Sequence, residues 1–306
     1  MGNDILFLAH RLPFPPDRGD KIRSHHLLKG LAALAPVHVA TFADDAADWA
    51  AEGDLAGMAA SYRLVERAKP LPLAGVEALA RSRPVSLTAF HHPALADYVK
   101  RLLASGRIGT IVVFSGQMGQ YADDFPPDAR FVMDFTDVDS EKFASYGRSA
   151  GGFAGLANRF EARRLRAFER AVAQRADINL FVSKTEQDLF RRLMGGSVFP
   201  LGTLENGVDL DRFSPAFIAG EYVGGEAPLI VFTGQMDYPP NIDAVTYFAT
   251  DVLPLIRDRQ ADARFAIVGR APTAEVLELA SLAGVEVTGE VPDTRPWLSA
   301  AKVVVA

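Results

Sequence analysis

The sequence predicts an α/β protein with two Rossmann-like, doubly wound parallel-sheet domains, over residues 1–205 and 206–306. Short β-rich apolar runs alternate with longer helical patterns along the whole chain. Runs such as Ile111–Phe114 show no polar alternation, which is typical of parallel strands buried on both faces. The turn signal Asn206–Asp209 and the linker-like stretch Gly220–Pro228 separate two such series.

The first series contains seven predicted strands and four predicted helices. The apolar runs predict strands at Asp4–Ala9, Val37–Phe42, Tyr62–Val65, Thr110–Phe114, Arg130–Phe135, Ile178–Val182 and Val198–Leu201. The helical patterns cover Lys21–Ala35, Ala94–Ala104, Leu156–Arg175 and Lys184–Leu193. Ser183 and Glu186 are spaced as a capping box for the last of these helices.

The second series repeats the pattern and stops at an apolar run. Strands are predicted at Leu229–Thr233, Arg264–Val268, Val285–Thr288 and 302–306, and helices at Asn241–Phe248, Ala274–Ala283 and Pro296–Ala300. Because an α/β domain seldom ends on an uncovered strand, we expect this domain to be incomplete and the sequence to be a fragment.

Composition limits the function classes. The 306 residues are 49% hydrophobic and 23% charged, as in a soluble globular protein. The absence of cysteine excludes disulfides and thiolate catalysis, and a net charge of −6 argues against a nucleic-acid partner. The N-terminus lacks the order of a signal peptide and no apolar stretch is long enough to span a bilayer, so we expect a cytoplasmic protein.

The loop Phe14–Ser24 follows the first predicted strand and offers charged residues where parallel sheets bind ligands. It is neither a Gly-x-Gly-x-x-Gly turn nor a Walker loop, so the usual dinucleotide and triphosphate interpretations lose their main support. The plainer interpretation is a helix entry, with Asp20 as the cap and Gly19 for the turn.

The chain resembles the GT-B glycosyltransferases of family 4, and more closely the sugar transferases associated with bacterial exopolysaccharide and PEP-CTERM systems. The resemblance runs the whole length in order. It rests on Phe7–Arg23, Val182–Glu186, Glu205–Asp209, Phe232–Asn241, Ile267–Arg270 and Val287–Asp293.

The resemblance implies an acceptor site in the first domain and a nucleotide-sugar site in the second. The implied acceptor-binding residues are His10, Asp17, Arg18, Gly19 and Lys21. The implied donor-binding residues are Gly234, Gln235, Asn241, Gly269, Arg270, Glu290 and Val291. No metal and no cofactor are implied, and closure about Asn206-Gly207 would exclude water from the reaction.

Three departures from the family pattern stand out. Gln235 replaces an arginine that clamps the donor diphosphate in many relatives, and Arg270 is the candidate to supply its charge. Asp134 and Asp137 stand where relatives often carry a catalytic histidine. The Glu-x7-Glu donor motif would lie beyond Ala306.

The segment Asp137-Val138-Asp139 has three open interpretations. It imitates the Asp-x-Asp metal signature of GT-A enzymes, Asp134 or Asp137 can act as a general base, and Asp137 or Ser140 can simply cap the next helix.

The basic amphipathic helix near 156–175 is a candidate for peripheral contact with the inner membrane face, although its arginines also suit a solvated helix face.

The expected function is therefore transfer of a sugar from a nucleotide-diphosphate donor to a glycan or lipid-linked acceptor, by a hexosyltransferase of family 4 type in exopolysaccharide or cell-surface glycan synthesis. A nucleotide-sugar epimerase of the same fold and a non-catalytic nucleotide-sugar-binding protein are the alternatives.

Overall fold

The computed structural model describes residues 2–67, 77–78, 83–196, 199–214, 225 and 227–306. The chain divides into two compact units, Met1–Gly207 and Val208–Ala306. Most of the predicted linker-like stretch Gly220–Pro228 lies outside the described residues.

The first unit is built on a sheet of parallel strands. In the described part of the chain these are β1 Asp4–Ala9, β2 Val37–Ala43, β3 Ser61–Glu66, β4 Ile108–Phe114, β5 Arg130–Thr136, β6 Ile178–Phe181 and β7 Leu201–Thr203. They lie side by side in the order β3-β2-β1-β4-β5-β6-β7. The order reverses between β1 and β4, and open α/β sheets bind ligands at the carboxyl ends of strands at such a reversal.

Helices connect these strands, and apolar side chains fill both faces of the sheet. The helices are α1 Gly19–Ala32, α2 Ala46–Ala50, α3 Glu52–Met58, α4 Val85–Ala89, α5 Pro93–Ala104, α6 Asp139–Ser149, α7 Gly152–Ala173 and α8 Lys184–Leu193, with a 3₁₀ segment at Gly116–Asp124. In β1, Leu6 and Leu8 belong to one core cluster, and Phe7 and Ala9 to the other. This burial on two faces explains the uninterrupted apolar runs.

The second unit has a four-stranded parallel sheet in the order β10-β9-β8-β11. Its strands are β8 Leu229–Thr233, β9 Arg264–Val268, β10 Val285–Gly289 and β11 Val303–Val305. Its helices are α9 Pro239–Tyr247, α10 Leu253–Arg257, α11 Ala274–Glu278 and α12 Arg295–Ala300, with a π turn at Phe248–Val252 and a 3₁₀ turn at Leu279–Ser281. Val303 and Val304 are each 51% exposed.

Several predicted boundaries were wrong. The first helix begins at Gly19, and its N-cap is Arg18 without a side-chain cap, so Asp20 lies in the first turn instead of capping it. The strand predicted at Val198–Leu201 lies at Leu201–Thr203, and Val198 falls outside the described residues.

The predicted capping box forms only in part. Ser183 Oγ accepts a hydrogen bond from the Glu186 amide at 3.2 Å. The Glu186 carboxylate instead accepts the Val138 amide at 2.9 Å. It therefore holds the start of α6, an element that is distant in sequence.

Candidate functional site

Charged side chains follow each of the first three strands and meet at one edge of the sheet. Arg11 follows β1, Asp44 follows β2 and Arg67 follows β3. Arg11 donates through Nη1 to Asp20 Oδ2 and through Nε to Asp44 Oδ2, both at 2.6 Å. Arg67 Nε reaches Asp44 Oδ1 at 2.6 Å, and Arg18 lies 3.2 Å from Asp20 and 3.4 Å from Asp44. Three guanidinium groups thus share two carboxylates.

His10 directly follows β1 and lies beside this network. Its Nε2 lies 3.3 Å from Asp20 Oδ2, and its ring packs 5.5 Å from that of Phe114 and 5.8 Å from that of Phe90. Burial lowers the pKa of His10, which keeps the imidazole neutral near pH 7 despite the neighbouring carboxylate. His10 is therefore placed at the predicted edge, but mostly buried there.

The other predicted acceptor-binding residues differ in their surroundings. The Lys21 ammonium is buried, forms an ion pair with Asp48 and donates to the Phe14 carbonyl at 3.2 Å. Its positive charge is therefore neutralised inside the unit by an ion pair that holds the loop to α2. Asp17 and Gly19 are exposed, and a β-carbon added at Gly19 would meet nothing within 4 Å.

The ends of β4 and β5 carry two strained residues around one aspartate. Ser115 and Thr136 adopt φ values of 77° and 67°, a left-handed conformation that costs a non-glycine residue about 1 kcal/mol or more. The Ser115 amide donates to the Asp134 carbonyl at 2.8 Å, and the Thr136 amide donates to Asp134 Oδ1 at 3.0 Å. Non-glycine backbone in this region at two adjacent strand ends is typical of functional sites.

Asp134 is itself buried, and its carboxylate forms an ion pair with the Arg23 guanidinium of α1. Arg23 Nε and Nη2 approach its carboxylate at 3.0 and 2.9 Å, and Arg23 Nη1 donates to Asn206 Oδ1 at 2.9 Å. Burial raises the pKa of Asp134, and the charge of Arg23 opposes that rise.

Asp137 and Asp139 lie at the start of α6, which two distant carboxylates hold. The N-cap is Val138, with no side-chain cap. The amides of Val138 and Ser140 donate to Glu186 and Glu169, each at 2.9 Å. The helix-cap interpretation of Asp137 and Ser140 is therefore wrong.

Desolvation raises the pKa of several carboxyl groups around this helix start. It raises the pKa of Asp139 to about 6 and that of Glu169 to about 7. It also raises the pKa of Asp137, whose side chain nevertheless reaches solvent. An exposed carboxyl with a raised pKa at a strand end is suited to accept a proton.

In the second unit, the ends of β8 and β9 approach each other through glycine. A β-carbon on Gly269 would overlap the Gly234 carbonyl oxygen, and one on Gly234 would lie 2.8 Å from Asn241 Nδ2. Asn241 Nδ2 donates to the Gln235 carbonyl at 2.9 Å, and Arg270 Nη2 lies 3.4 Å from Gln235 Oε1. Arg270 thus lies beside Gln235, whose missing charge it is predicted to supply.

Glu290 and Val291 follow β10 at the same edge. The Gly269 amide donates to the Gly289 carbonyl at 3.1 Å, which joins the ends of β9 and β10. Glu290 is exposed, whereas Val291 packs against the cluster that contains Leu229 and Val231. All seven predicted donor-binding residues therefore lie at or near the carboxyl ends of β8–β10.

A groove of about 440 Å³ lies along α7 and carries four arginines. The arginines are Arg159, Arg163, Arg166 and Arg170, and Leu193 and Met194 contribute apolar walls. On the same helix, Leu156 and Phe160 are 63% and 40% exposed. Arg164 lies over the Phe160 ring, 4.2 Å from its centroid.

The described residues contain neither a group of metal ligands nor a membrane-spanning helix. Among the described residues, no three His, Cys, Asp or Glu side chains are grouped so that they could hold a metal ion. No helix in that part of the chain is long and apolar enough to cross a bilayer.

Most of the charged partners at this edge were not predicted from the sequence. Asp44 and Arg67 directly follow strands, as His10 does, and Arg11 is the second residue after β1. This position after a strand is the signal that could have identified them. Arg23, Glu169 and Glu186 lie within helices, and local sequence carries no sign of their distant partners.

Residues 227–306 match the family described as "Glycosyl transferases group 1". No curated protein sequence matches the chain. Among solved structures, the chain is similar to the catalytic domain of starch synthase IV from Arabidopsis thaliana bound to ADP and acarbose, with 12% identity and a TM-score of 0.58 over 99% of this chain and 78% of that one.

Two other structures are similar over most of their length. One is the α,α-trehalose 6-phosphate synthase from Burkholderia multivorans, with 11% identity and a TM-score of 0.57 over 99% of this chain and 77% of that one. Another is S. aureus MnaA with UDP, with 10% identity and a TM-score of 0.51 over 98% and 73%. At these identities the likeness concerns the fold. The predicted fold class, α/β with two parallel sheets as in GT-B glycosyltransferases, is confirmed.

Proposed function

We propose that this protein is a glycosyltransferase that moves a sugar from a nucleotide-diphosphate donor to a glycan or lipid-linked acceptor. One observation carries the proposal. The segment that matches "Glycosyl transferases group 1" gathers Gly234, Gln235, Asn241, Gly269 and Arg270 at one strand edge. The structural neighbours with bound ADP and UDP support a nucleotide donor.

The strand edge of the second unit suits a diphosphate. Glycine at positions 234 and 269 lets the ends of β8 and β9 approach each other closely, and the positive end of the α9 dipole lies nearby at Pro239. Arg270 adds a positive charge beside Gln235. These groups would stabilise the charge that develops on the leaving diphosphate, and no metal or cofactor enters the proposal.

Asp137 is the better candidate for the general base. Asp134 is almost fully buried, and its carboxylate is engaged by Arg23 and Thr136. Asp137 follows the strained Thr136, reaches solvent and has a raised pKa. We therefore assign proton abstraction from the acceptor hydroxyl to Asp137, and positioning of the two strand ends to Asp134.

The finer parts of the proposal concern the enzyme class and the cell surface. We propose a hexosyltransferase of family 4 type that acts in exopolysaccharide synthesis linked to PEP-CTERM systems.

The groove of α7 would face an anionic membrane, because its four arginines complement lipid phosphates and Leu156 and Phe160 are exposed on the same helix. Arg163→Glu should then reduce flotation with phosphatidylglycerol vesicles, and unchanged flotation contradicts the contact.

A donor panel tests the main proposal. The protein is incubated with UDP-, ADP-, GDP- and dTDP-sugars, each with neutral, phosphorylated and lipid-linked glycan acceptors, and products are read by mass spectrometry. One donor should give an acceptor heavier by one sugar residue, and Arg270→Gln should raise the KM for that donor. A change in sugar configuration without an acceptor would point to an epimerase, and nucleotide-sugar binding without turnover to a binding protein.

A further inference from the structure

The charged network at the ends of β1, β2 and β3 has more positive than negative charge. It contains the guanidinium groups of Arg11, Arg18 and Arg67 and the carboxylates of Asp20 and Asp44. Burial pushes the pKa of Asp20 and Asp44 up, but hydrogen bonds hold both values well below their usual range: Asp20 is bonded by His10 and Arg11, Asp44 by Arg67 and Arg11. Both carboxylates are therefore ionised.

With His10 neutral, the three guanidinium groups and two carboxylates of this network carry a formal charge of +1, on a chain whose net charge is −6. This positive charge is concentrated in one place. The site therefore has the sign that attracts an anion, opposite to that of the protein as a whole.

The excess of hydrogen-bond donors over acceptors in this network also favours an anionic ligand. Three guanidinium groups offer about fifteen N–H donors, whereas two carboxylates offer about eight acceptor sites. The three arginine side chains are 21–29% exposed, so donors not directed at the carboxylates can reach a ligand. A planar guanidinium presents pairs of donors that match the oxygens of a phosphate.

The positions of the guanidinium groups are fixed before any ligand arrives. Asp44 holds Arg11 and Arg67 at 2.6 Å, and the Arg67 guanidinium lies 5.3 Å from the centroid of the Phe90 ring. Arg18 is the N-cap of α1, so the positive end of that helix lies in the same loop. Preorganised donors lose less entropy on binding than mobile ones.

We propose that Arg11, Arg18 and Arg67 form a binding site for a phosphate group of the acceptor. The proposal rests on the proposed glycosyltransferase function and narrows its substrate to a phosphorylated acceptor. The site lies at the carboxyl ends of β1–β3, and its Asp20 contacts His10, which is next to the reversal of strand order between β1 and β4, where a ligand of this sheet is expected.

Direct binding of inorganic phosphate tests the site without any need for turnover. The full chain, saturated with UDP to occupy the donor site, is titrated calorimetrically with phosphate and, separately, with acetate. Arg67→Gln should weaken phosphate binding about tenfold, because one of three guanidinium groups is lost. Asp44 keeps Arg11 and Arg18 in that variant, so its melting temperature should change little.

Arg191→Gln serves as the matched control, since Arg191 pairs with Asp188 on the exposed face of α8. It should bind phosphate as the wild type does. Equal phosphate affinity in the wild type and Arg67→Gln, or tighter binding of acetate than of phosphate, overturns the proposal.

Turnover provides a second test. With the donor and acceptors identified by the panel, Arg67→Gln should raise the KM for a phosphorylated acceptor about tenfold and leave the KM for its dephosphorylated form unchanged. If Arg67→Gln changes the KM for both acceptors equally, the phosphate site is overturned and the glycosyltransferase function is not. A protein that binds phosphate but transfers no sugar to any acceptor contradicts the glycosyltransferase function instead, so the two failures are distinguishable.

Discussion

Arg23 and Asp134, 111 positions apart in the chain, form a buried ion pair with N–O distances of 2.9–3.2 Å. The pair connects α1 to the end of β5. Arg23 also donates to Asn206, the last residue but one of the first unit. Since Asp134 in turn hydrogen-bonds the strained Thr136 and Ser115, a single side chain on α1 supports the strand ends that carry the candidate base.

Arg23→Leu should destabilise the first unit by about 3–5 kcal/mol at pH 7, because removal of one partner leaves a buried charge uncompensated. Without Arg23 the folded-state pKa of Asp134 rises further above the value of an unfolded aspartate, which is about 3.9. Ionisation of Asp134 therefore lowers the stability of the variant only at pH values above about 3.9. The loss should therefore shrink as the pH falls from 7 toward 4. Urea unfolding at several pH values measures it.

The double variant Arg23→Leu/Asp134→Asn is the control for that interpretation. Removing the stranded carboxylate should recover part of the stability and abolish the additional pH dependence. A double variant as unstable as the sum of its single variants would show that the two side chains act independently.

Gly19→Val should abolish transfer and leave the melting temperature nearly unchanged. A β-carbon at Gly19 meets nothing within 4 Å, so the fold itself does not need glycine there, whereas a ligand approaching the backbone does. Gly30→Val, on the same helix and also facing open space, is the matched control and should retain activity. Full activity in Gly19→Val would reduce the loop to a simple turn.

The strands were the most predictable part of this fold. Asp4–Ala9, Leu229–Thr233 and Arg264–Val268 lie where the sequence predicts them, because a strand buried on two faces leaves an uninterrupted apolar run. The sequence indicates a helix after Asp137 but does not predict its bounds, Asp139–Ser149. That helix has few apolar positions, and its start is held by Glu169 and Glu186, which no local pattern reveals.

The candidate site was predictable in position but not in its pairings. Strand ends identify His10 and Asp134, and the same rule applies to Arg11, Asp44 and Arg67. That Lys21 turns inward to Asp48 while Arg67 joins Asp44 depends on packing between helices and strands far apart in sequence. Such pairings decide which charges are available to a ligand.

Gly269→Ala should destabilise the second unit by about 2 kcal/mol or more and abolish nucleotide binding. The added β-carbon would overlap the Gly234 carbonyl oxygen and push apart the ends of β8 and β9. Thermal unfolding with and without UDP measures the two effects. Gly57→Ala adds its β-carbon to open space in the first unit, and it should leave nucleotide binding intact. A normal UDP shift in Gly269→Ala would contradict the donor site at this edge.

Glu169→Gln should remove part of the pH dependence of stability. The folded pKa of Glu169 is about 7, raised by burial from a usual value of 4.5. The contribution of Glu169 to the free energy of unfolding is therefore fully present below pH 4.5, and it is lost as the pH rises from 4.5 through 7. The amide does not ionise and can still accept the Ser140 amide, so the variant should gain on the order of 3 kcal/mol relative to the wild type between pH 4.5 and 8.

Glu169→Ala is the contrast, since it removes the acceptor of the Ser140 amide altogether. It should be less stable than Glu169→Gln at every pH in urea unfolding. Parallel pH profiles of wild type and Glu169→Gln would show that the carboxyl titrates alike in the folded and unfolded chain.

Asp137→Asn should lower kcat about 100-fold or more and leave donor affinity unchanged, because a general base acts in the transition state and not in donor binding. The substitution should also spare the fold, since the start of α6 is held by Glu169 and Glu186 rather than by Asp137. Initial rates, UDP affinity and melting temperature are measured on the same preparation. Added EDTA should not change the wild-type rate, whereas strong inhibition would support metal binding by Asp137-Val138-Asp139. Normal turnover in the variant would remove Asp137 from catalysis and, with Asp134 already engaged by Arg23, would leave Asp139 as the remaining aspartate at this strand end.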